Sequence, residues 1–167
     1  AFAVSNPATC LWLALMAEQR KDFTEAARQI GESSGIEYDP SLNLRLSYYL
    51  TQADRLKDAI AVLEKAQAKW HKNEELAYFL ALGYDDVKRP EKAAQLLTQV
   101  IALRPDHRDA RFQLGAIYEK LGNIEGVEEQ FREIVRVHPG DASALNFLGY
   151  TLADRGVKLK EAEGFIR

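Results

Sequence analysis

Residues 110–139 read ARFQLGAIYEKLGNIEGVEEQFREIVRVHP, and two periods laid over this stretch decide the fold. The short one runs through Ala110, Leu114, Ile117, Tyr118 and Leu121, then through Ile124, Val127, Phe131, Ile134 and Val135. Each set keeps the spacing of one apolar helix face. Between them stand Gly122 and Asn123, residues that favour a tight turn. Two antiparallel amphipathic helices are expected.

The long period is seen in the closing phrase. IVRVHP echoes VIALRP, which puts Pro139 and Pro105 34 residues apart. Ala59, Ala93 and Val127 keep the same interval, and Ala26 and Ala162 extend the series at spacings of 33 and 35. A fixed period of this length means that one supersecondary unit is stacked several times. The turns inside the units carry breakers or polar residues: Lys21-Asp22, Ala53-Asp54, Arg89-Pro90, Gly122-Asn123 and Gly156. Asn6-Pro7 and Asp39-Pro40 each set a capping side chain before a proline whose fixed φ suits the first helical position. Asp141 is the expected cap of the helix starting near Ala142. No stretch alternates with period two, so strands are not expected.

The bulk properties agree with a folded, non-nucleic-acid-binding chain. Its 167 residues suffice for one domain or a short array of repeats, and 47% of them are hydrophobic and 28% charged. A net charge of -3 gives no electrostatic pull on DNA or RNA. The longest apolar run, Leu11 to Ala17, is far short of the roughly 20 residues of a membrane span and is expected to be a buried helix. A single cysteine, Cys10, cannot form an internal disulfide, which is compatible with the cytoplasm or the periplasmic side of a bacterial envelope.

These units resemble the tetratricopeptide repeat, with its pattern W-x2-L-G-x2-Y, A-x3-F and P. The fourth unit matches through Leu114, Gly115, Tyr118, Phe131 and Pro139, with Arg111 in place of the tryptophan and Val127 in place of the alanine. The third matches through Leu80, Ala81, Tyr84, Ala93, Leu97 and Pro105, and the fifth through Leu148, Gly149 and Ala162. The first two are looser, with Leu13, Ala14, Phe23 and Ala26, then Leu46, Ser47, Ala59, Leu63 and Ala66. His71 stands where a proline is usual. The wording ALNFLGYTLADRG, residues 144–156, is similar to bacterial members of the family.

The resemblance implies an all-α fold, a right-handed α-solenoid of antiparallel helix pairs with about five repeats and truncated first and last regions. Residues 1–6 are expected to be the tail of a preceding helix and its turn, because Ala1 to Val4 looks like the end of a second helix. Residues 7–167 form the repeats, approximately 7–39, 40–73, 74–107, 108–141 and an incomplete 142–167. A fragment of a longer protein is expected, since solenoids need polar caps at their ends.

Catalytic chemistry finds little support. His71, His107 and His138 fall in loops between repeats, where equivalent points lie about 10 Å apart, too far to share a metal. Cys10 has no histidine near it to serve as a base, which favours a buried structural thiol. Asp85 and Asp86 are helix neighbours that point about 100° apart and do not form a carboxylate pair. No phosphate-cradling glycine phrase occurs. The chain is expected to be no enzyme, with no cofactor and no metal.

The groove is where function is expected. In the implied solenoid the first helix of each pair lines the concave side. If Leu114 and Tyr118 point to the core, then Phe112, Ala116, Glu119 and Lys120 point away from it. The repeat spacing carries the first two positions to Leu11, Leu44, Tyr78 and Asn146, and to Leu15, Tyr48, Leu82 and Tyr150. The other two become Glu18, Thr51, Asp85 and Ala153, and Gln19, Gln52, Asp86 and Asp154. The predicted partner-binding set is Leu44, Tyr48, Tyr78, Leu82, Asp85, Asp86, Phe112, Ala116, Glu119, Lys120, Asn146, Tyr150 and Asp154. Its chemistry fits a protein or peptide with apolar anchors and Lys or Arg near an acidic edge. The Lys, Arg and Asn clamp by which some relatives hold chaperone tails has only Asn146 here. The expected function is protein binding; the alternatives are a targeting or regulatory arm of a larger enzyme and a scaffold that self-associates.

Overall fold

The computed structural model describes residues 6–154, all helix and turn. Two compact units divide at Gly83 and Tyr84. In the first, α1 (Pro7–Gln19), α2 (Phe23–Gly31), α3 (Pro40–Gln52) and α4 (Leu56–Lys69) pack in chain order, and α5 (Glu74–Asp86) begins. In the second, α6 (Pro90–Leu103), α7 (Arg108–Lys120), α8 (Ile124–Val137) and α9 (Ala142–Asp154) do the same. The fold is all-α and built of helix pairs. Ala1 to Val4, the turn at Gly156 and Ala162 lie outside the described residues.

The starts of the first helices repeat one device. Asn6, Asp39, Asn73 and Asp141 each accept a backbone N–H of the first turn, at 2.9, 2.8, 3.0 and 3.0 Å. His107 does the same with Nδ1, taking the Ala110 N–H at 3.3 Å. Each bond satisfies a donor that the helix leaves unpaired. The caps at Asn73 and His107 are not foreseen in the sequence, so one of the three loop histidines has a structural task.

The ends of the first helices repeat another. Lys21, Asp54, Lys88 and Gly122 sit at φ of 57°, 58°, 60° and 71°, in the left-handed region. The following N–H of Asp22, Arg55, Arg89 and Asn123 then reaches back five residues, to Ala17, Leu50, Tyr84 and Tyr118. This is the hydrogen bond that closes a helix with a left-handed residue. Only Gly122 has the residue type that adopts this conformation without strain.

Each unit has its own core. In the first, Ala14 and Ala17 of α1 meet Ala26, Ala27 and Ile30 of α2, with Leu42, Tyr49 and Leu50 of α3. Small side chains let the first two helices approach closely. Tyr49 is fully buried, and its hydroxyl donates to Glu18 Oε2 at 2.7 Å, tying α3 to α1. Burial first, then this bond to Glu18, pushes the Tyr49 phenol up. In the second unit Val127, Phe131 and Ile134 of α8 face Ala144, Leu148 and Leu152 of α9.

Two glycines in this second unit make room for rings. A Cβ on Gly115 would lie 2.7 Å from Cε2 of Phe131, so α8 can seat its phenylalanine only because position 115 has no side chain. A Cβ on Gly126 would overlap the Tyr118 ring. Gly83 does a similar service in the first unit, where a Cβ would stand 3.0 Å from Ile60 Cγ1. α2 is the exception among the second helices, nine residues long against fourteen for α4, α6 and α8. Turns at Ser33 to Tyr38 fill the remainder of that span, which the period alone does not foretell.

Candidate protein-binding surface

The first unit carries its predicted partner-binding residues on α3 and α5, and α1 adds Leu11 and Leu15 at the matching helix positions. Leu15 is 39% and Tyr48 46% exposed, while Leu11, Leu44, Tyr78 and Leu82 are half-buried. Tyr48 is braced by its neighbours: its ring stands edge-on to Phe23 with centroids 6.4 Å apart and tilts against Tyr49 at 5.4 Å. Tyr78 meets Phe79 edge-on at 5.4 Å. A braced aromatic ring with one open face loses little conformational freedom when a partner covers it. Trp12, Tyr38 and Phe79 are also exposed and belong to none of the predicted positions. Spacing measured from Leu114 cannot find them, because they sit at other helix angles or, for Tyr38, in a loop.

The second unit separates its predicted residues into three groups. Phe112 and Ala116 are half-buried. Phe112 stands edge-on to Phe131 at 5.2 Å and to Phe147 at 5.4 Å, while Phe131 and Phe147 stack at 4.7 Å. The Arg108 guanidinium lies 4.9 Å from the Phe112 ring centre and covers part of what remains. Much of Phe112 therefore serves the packing of α7, α8 and α9.

The charged group is partly self-satisfied. Lys120 Nζ donates to both carboxylate oxygens of Asp85, at 2.6 and 2.8 Å. Asp86 is exposed, and so is Glu119. The sequence places Asp85 and Lys120 in adjacent columns, yet their mutual bond depends on how α5 ends relative to α7. Asp154 ends α9, and its side chain lies outside the described residues.

The third group lines a cleft of about 610 Å³. Glu119, Asn146 and Tyr150 come from the predicted set, and Ile124, Val127, Phe147 and Thr151 join them. Tyr150 is 65% exposed and Asn146 is exposed as well. The Thr151 hydroxyl donates to the Phe147 carbonyl at 2.8 Å, which leaves the floor largely apolar. A concave apolar surface with a few polar groups at its rim is the usual form of a binding pocket. Ile124 and Phe147 were not in the predicted set, since Ile124 belongs to a second helix and Phe147 lies one step round from Asn146.

Other chemistry stays faint. Among the described residues no group of three or more His, Cys, Asp and Glu could hold a metal ion, and no helix is long and apolar enough to cross a membrane. Cys10 is buried, and burial, with Glu32 adding to it, pushes its thiol up and away from the nucleophilic form.

Helix pairs capped alike at intervals of 33 and 34 residues define the class: this is an α-helical repeat protein. Within that class, the family model described as tetratricopeptide repeat matches residues 86–149. The chain is 29% identical over 158 residues to TPR repeat-containing protein PA4667 of Pseudomonas aeruginosa, covering 92% of this chain and 26% of the relative. It is also 29% identical over 117 residues to DnaJ homolog subfamily C member 3 of Mus musculus, covering 66% of this chain and 22% of the relative. The chain thus spans about a quarter of the length of the curated relatives it matches.

Among solved structures, a crystal structure of MamA protein aligns with a TM-score of 0.84 at 21% identity, over 95% of this chain and 87% of that one. YrrB, described as a TPR protein with an unusual peptide-binding site, aligns with a TM-score of 0.76 at 20% identity, over 96% of this chain and 83% of its own. At these identities the likeness speaks for the fold.

Proposed function

We propose that this chain is a non-enzymatic protein-interaction module whose repeats run approximately 7–39, 40–73, 74–107, 108–141 and 142–167. It holds a protein or peptide segment against the apolar and acidic faces of its first helices. The observation that carries this is the pair Tyr48 and Tyr150. They fill the same position in α3 and α9, stay 46% and 65% exposed, and lie outside the two core clusters of the described residues. Exposed aromatics of this kind are favoured anchors of protein interfaces. In the first unit Leu44, Tyr78 and Leu82 supply half-buried apolar surface; in the second Phe112 and Ala116 do so, and Asp86 and Glu119 give an acidic edge that favours Lys or Arg on the partner. The peptide-binding site named for YrrB is a precedent within the fold.

The test is selection from a random dodecapeptide display library with the 167-residue chain as bait, followed by calorimetry on the enriched peptides. Enriched peptides should carry apolar anchors with basic residues and lose at least tenfold in affinity on Tyr48→Ala or Tyr150→Ala, with circular dichroism unchanged. No enrichment, or binding indifferent to both substitutions, overturns the proposal.

A further inference from the structure

The cleft at the junction of α7, α8 and α9 deepens that proposal and rests on it. Its floor is Ile124, Val127 and Phe147, and its rim carries Glu119, Asn146, Tyr150 and Thr151. The charges around it are asymmetric. Lys120, beside Glu119 in sequence, is held by Asp85 through two bonds of 2.6 and 2.8 Å. Consecutive residues on a helix do not face each other, so Lys120 is not available to neutralise Glu119. Among the described residues Glu119 makes no ion pair. An apolar cleft is thus left with one formal charge at its edge, and that charge is negative.

We propose that this cleft is an anchor site for a partner segment with a fixed order of chemistry: an aromatic or branched aliphatic side chain inserted over Phe147, and next to it a Lys or Arg paired with Glu119. The inserted side chain covers Ile124 and Phe147, and its removal from water supplies most of the affinity. The flanking cation gains from Glu119 and from the open face of the Tyr150 ring. An acidic neighbour meets Glu119 and is repelled. Because Glu119 is exposed, its share of the affinity is modest, on the order of two- to fivefold. It decides which segment binds more than how tightly.

The experiment uses three probes that share a phenylbutyl chain and differ in charge: 4-phenylbutylamine, 4-phenylbutanol and 4-phenylbutyrate. Each is titrated into the intact chain and followed by NMR at side-chain methyl and aromatic resonances. Shifts should concentrate at Ile124, Val127, Phe147 and Tyr150, with affinity falling from amine to alcohol to acid. Glu119→Gln should cut amine affinity two- to fivefold and leave the alcohol alone, and Tyr150→Ala should weaken all three. Equal binding of amine and acid overturns the charge assignment. Absence of shifts at these residues overturns the site. The broader function fails separately: display-selected peptides that need Tyr48 but carry no basic residue and ignore Glu119→Gln would sustain the interaction module and sink this cleft.

Discussion

Arg108 grips Asp141 with one edge of its guanidinium, Nε to Oδ2 at 2.8 Å and Nη2 to Oδ1 at 3.2 Å, while Asp141 Oδ1 also accepts the Ala144 N–H at 3.0 Å. One carboxylate therefore caps α9 and fastens it to the start of α7. Two-point contact of this kind is stronger than a single surface ion pair. Only 12% of the Asp141 side chain is exposed, so solvent screens the pair less than its neighbours.

That double duty gives a pH signature. The Arg108 hydrogen bonds, ahead of the backbone bond from Ala144, hold the Asp141 carboxyl below its ordinary range in the folded chain. The group titrates lower when folded than when unfolded, so its contribution is complete above the unfolded value of about 4. It is lost as pH falls through the lower folded value. Asp141→Ala should cost about 1 to 2 kcal/mol near neutral pH through loss of the cap and the pair. Urea melts of wild type and variant should converge as pH falls through the lowered folded value; a gap that stays constant across the range would mean that the carboxylate charge is not what stabilises α9.

A second prediction concerns the four left-handed residues. Gly122→Ala should destabilise by about 1 kcal/mol, since the new Cβ must be held at positive φ. Lys88→Gly and Asp54→Gly should do the reverse, relieving roughly 1 to 2 kcal/mol of left-handed strain. The extra freedom that glycine gives the unfolded chain offsets about 0.5 to 1 kcal/mol of that gain. A net rise in melting temperature of one or two degrees is expected for either substitution, measured by differential scanning calorimetry; a fall would show that the Lys88 or Asp54 side chain supports its turn in some other way.

The repeat and its core were legible because both depend on spacing. Leu114, Phe131 and Leu148 recur where a stacked hairpin must bury them, and they are buried. Asn6, Asp39 and Asp141 were legible as caps because they are the residue types that cap. His107 was not, because histidine is not among the usual capping residue types, although it stands 34 residues before Asp141 in the same series. The candidate surface is another matter. Helix angle separates Phe112 from Leu114, but it does not report that Phe131 and Phe147 close around Phe112. Nor does it report that Lys120 reaches Asp85, 35 residues away. Contacts between helices depend on approach and tilt, which a one-dimensional period leaves free.

Gly115 and Phe131 supply a packing test that their separate substitutions cannot. Phe131→Ala removes a fully buried ring and should cost about 3 to 5 kcal/mol. Gly115→Ala forces a Cβ to within 2.7 Å of the ring and should cost about 1 to 3 kcal/mol. In the double variant the clash has no object, so the alanine at position 115 should become nearly harmless. A coupling energy of more than about 1 kcal/mol in the double-mutant cycle is expected. Simple additivity would mean that the helices adjust around a side chain at position 115 without help from Phe131.

The bond between Lys120 and Asp85 makes the acidic edge adjustable in both directions. Lys120→Ala leaves Asp85 without its cation and adds a second bare carboxylate beside Asp86. For a basic peptide obtained by display selection, the association rate in 20 mM salt should rise about two- to tenfold, because charge complementarity acts mainly on encounter. Asp86→Lys should lower it by a similar factor. Both effects should vanish in roughly 0.5 M sodium chloride, where screening acts over only a few ångströms, and helicity should be unchanged throughout. Surface plasmon resonance at the two salt concentrations measures this directly. Rates that ignore both substitutions would remove Asp85 and Asp86 from the binding surface and leave the apolar residues to act alone.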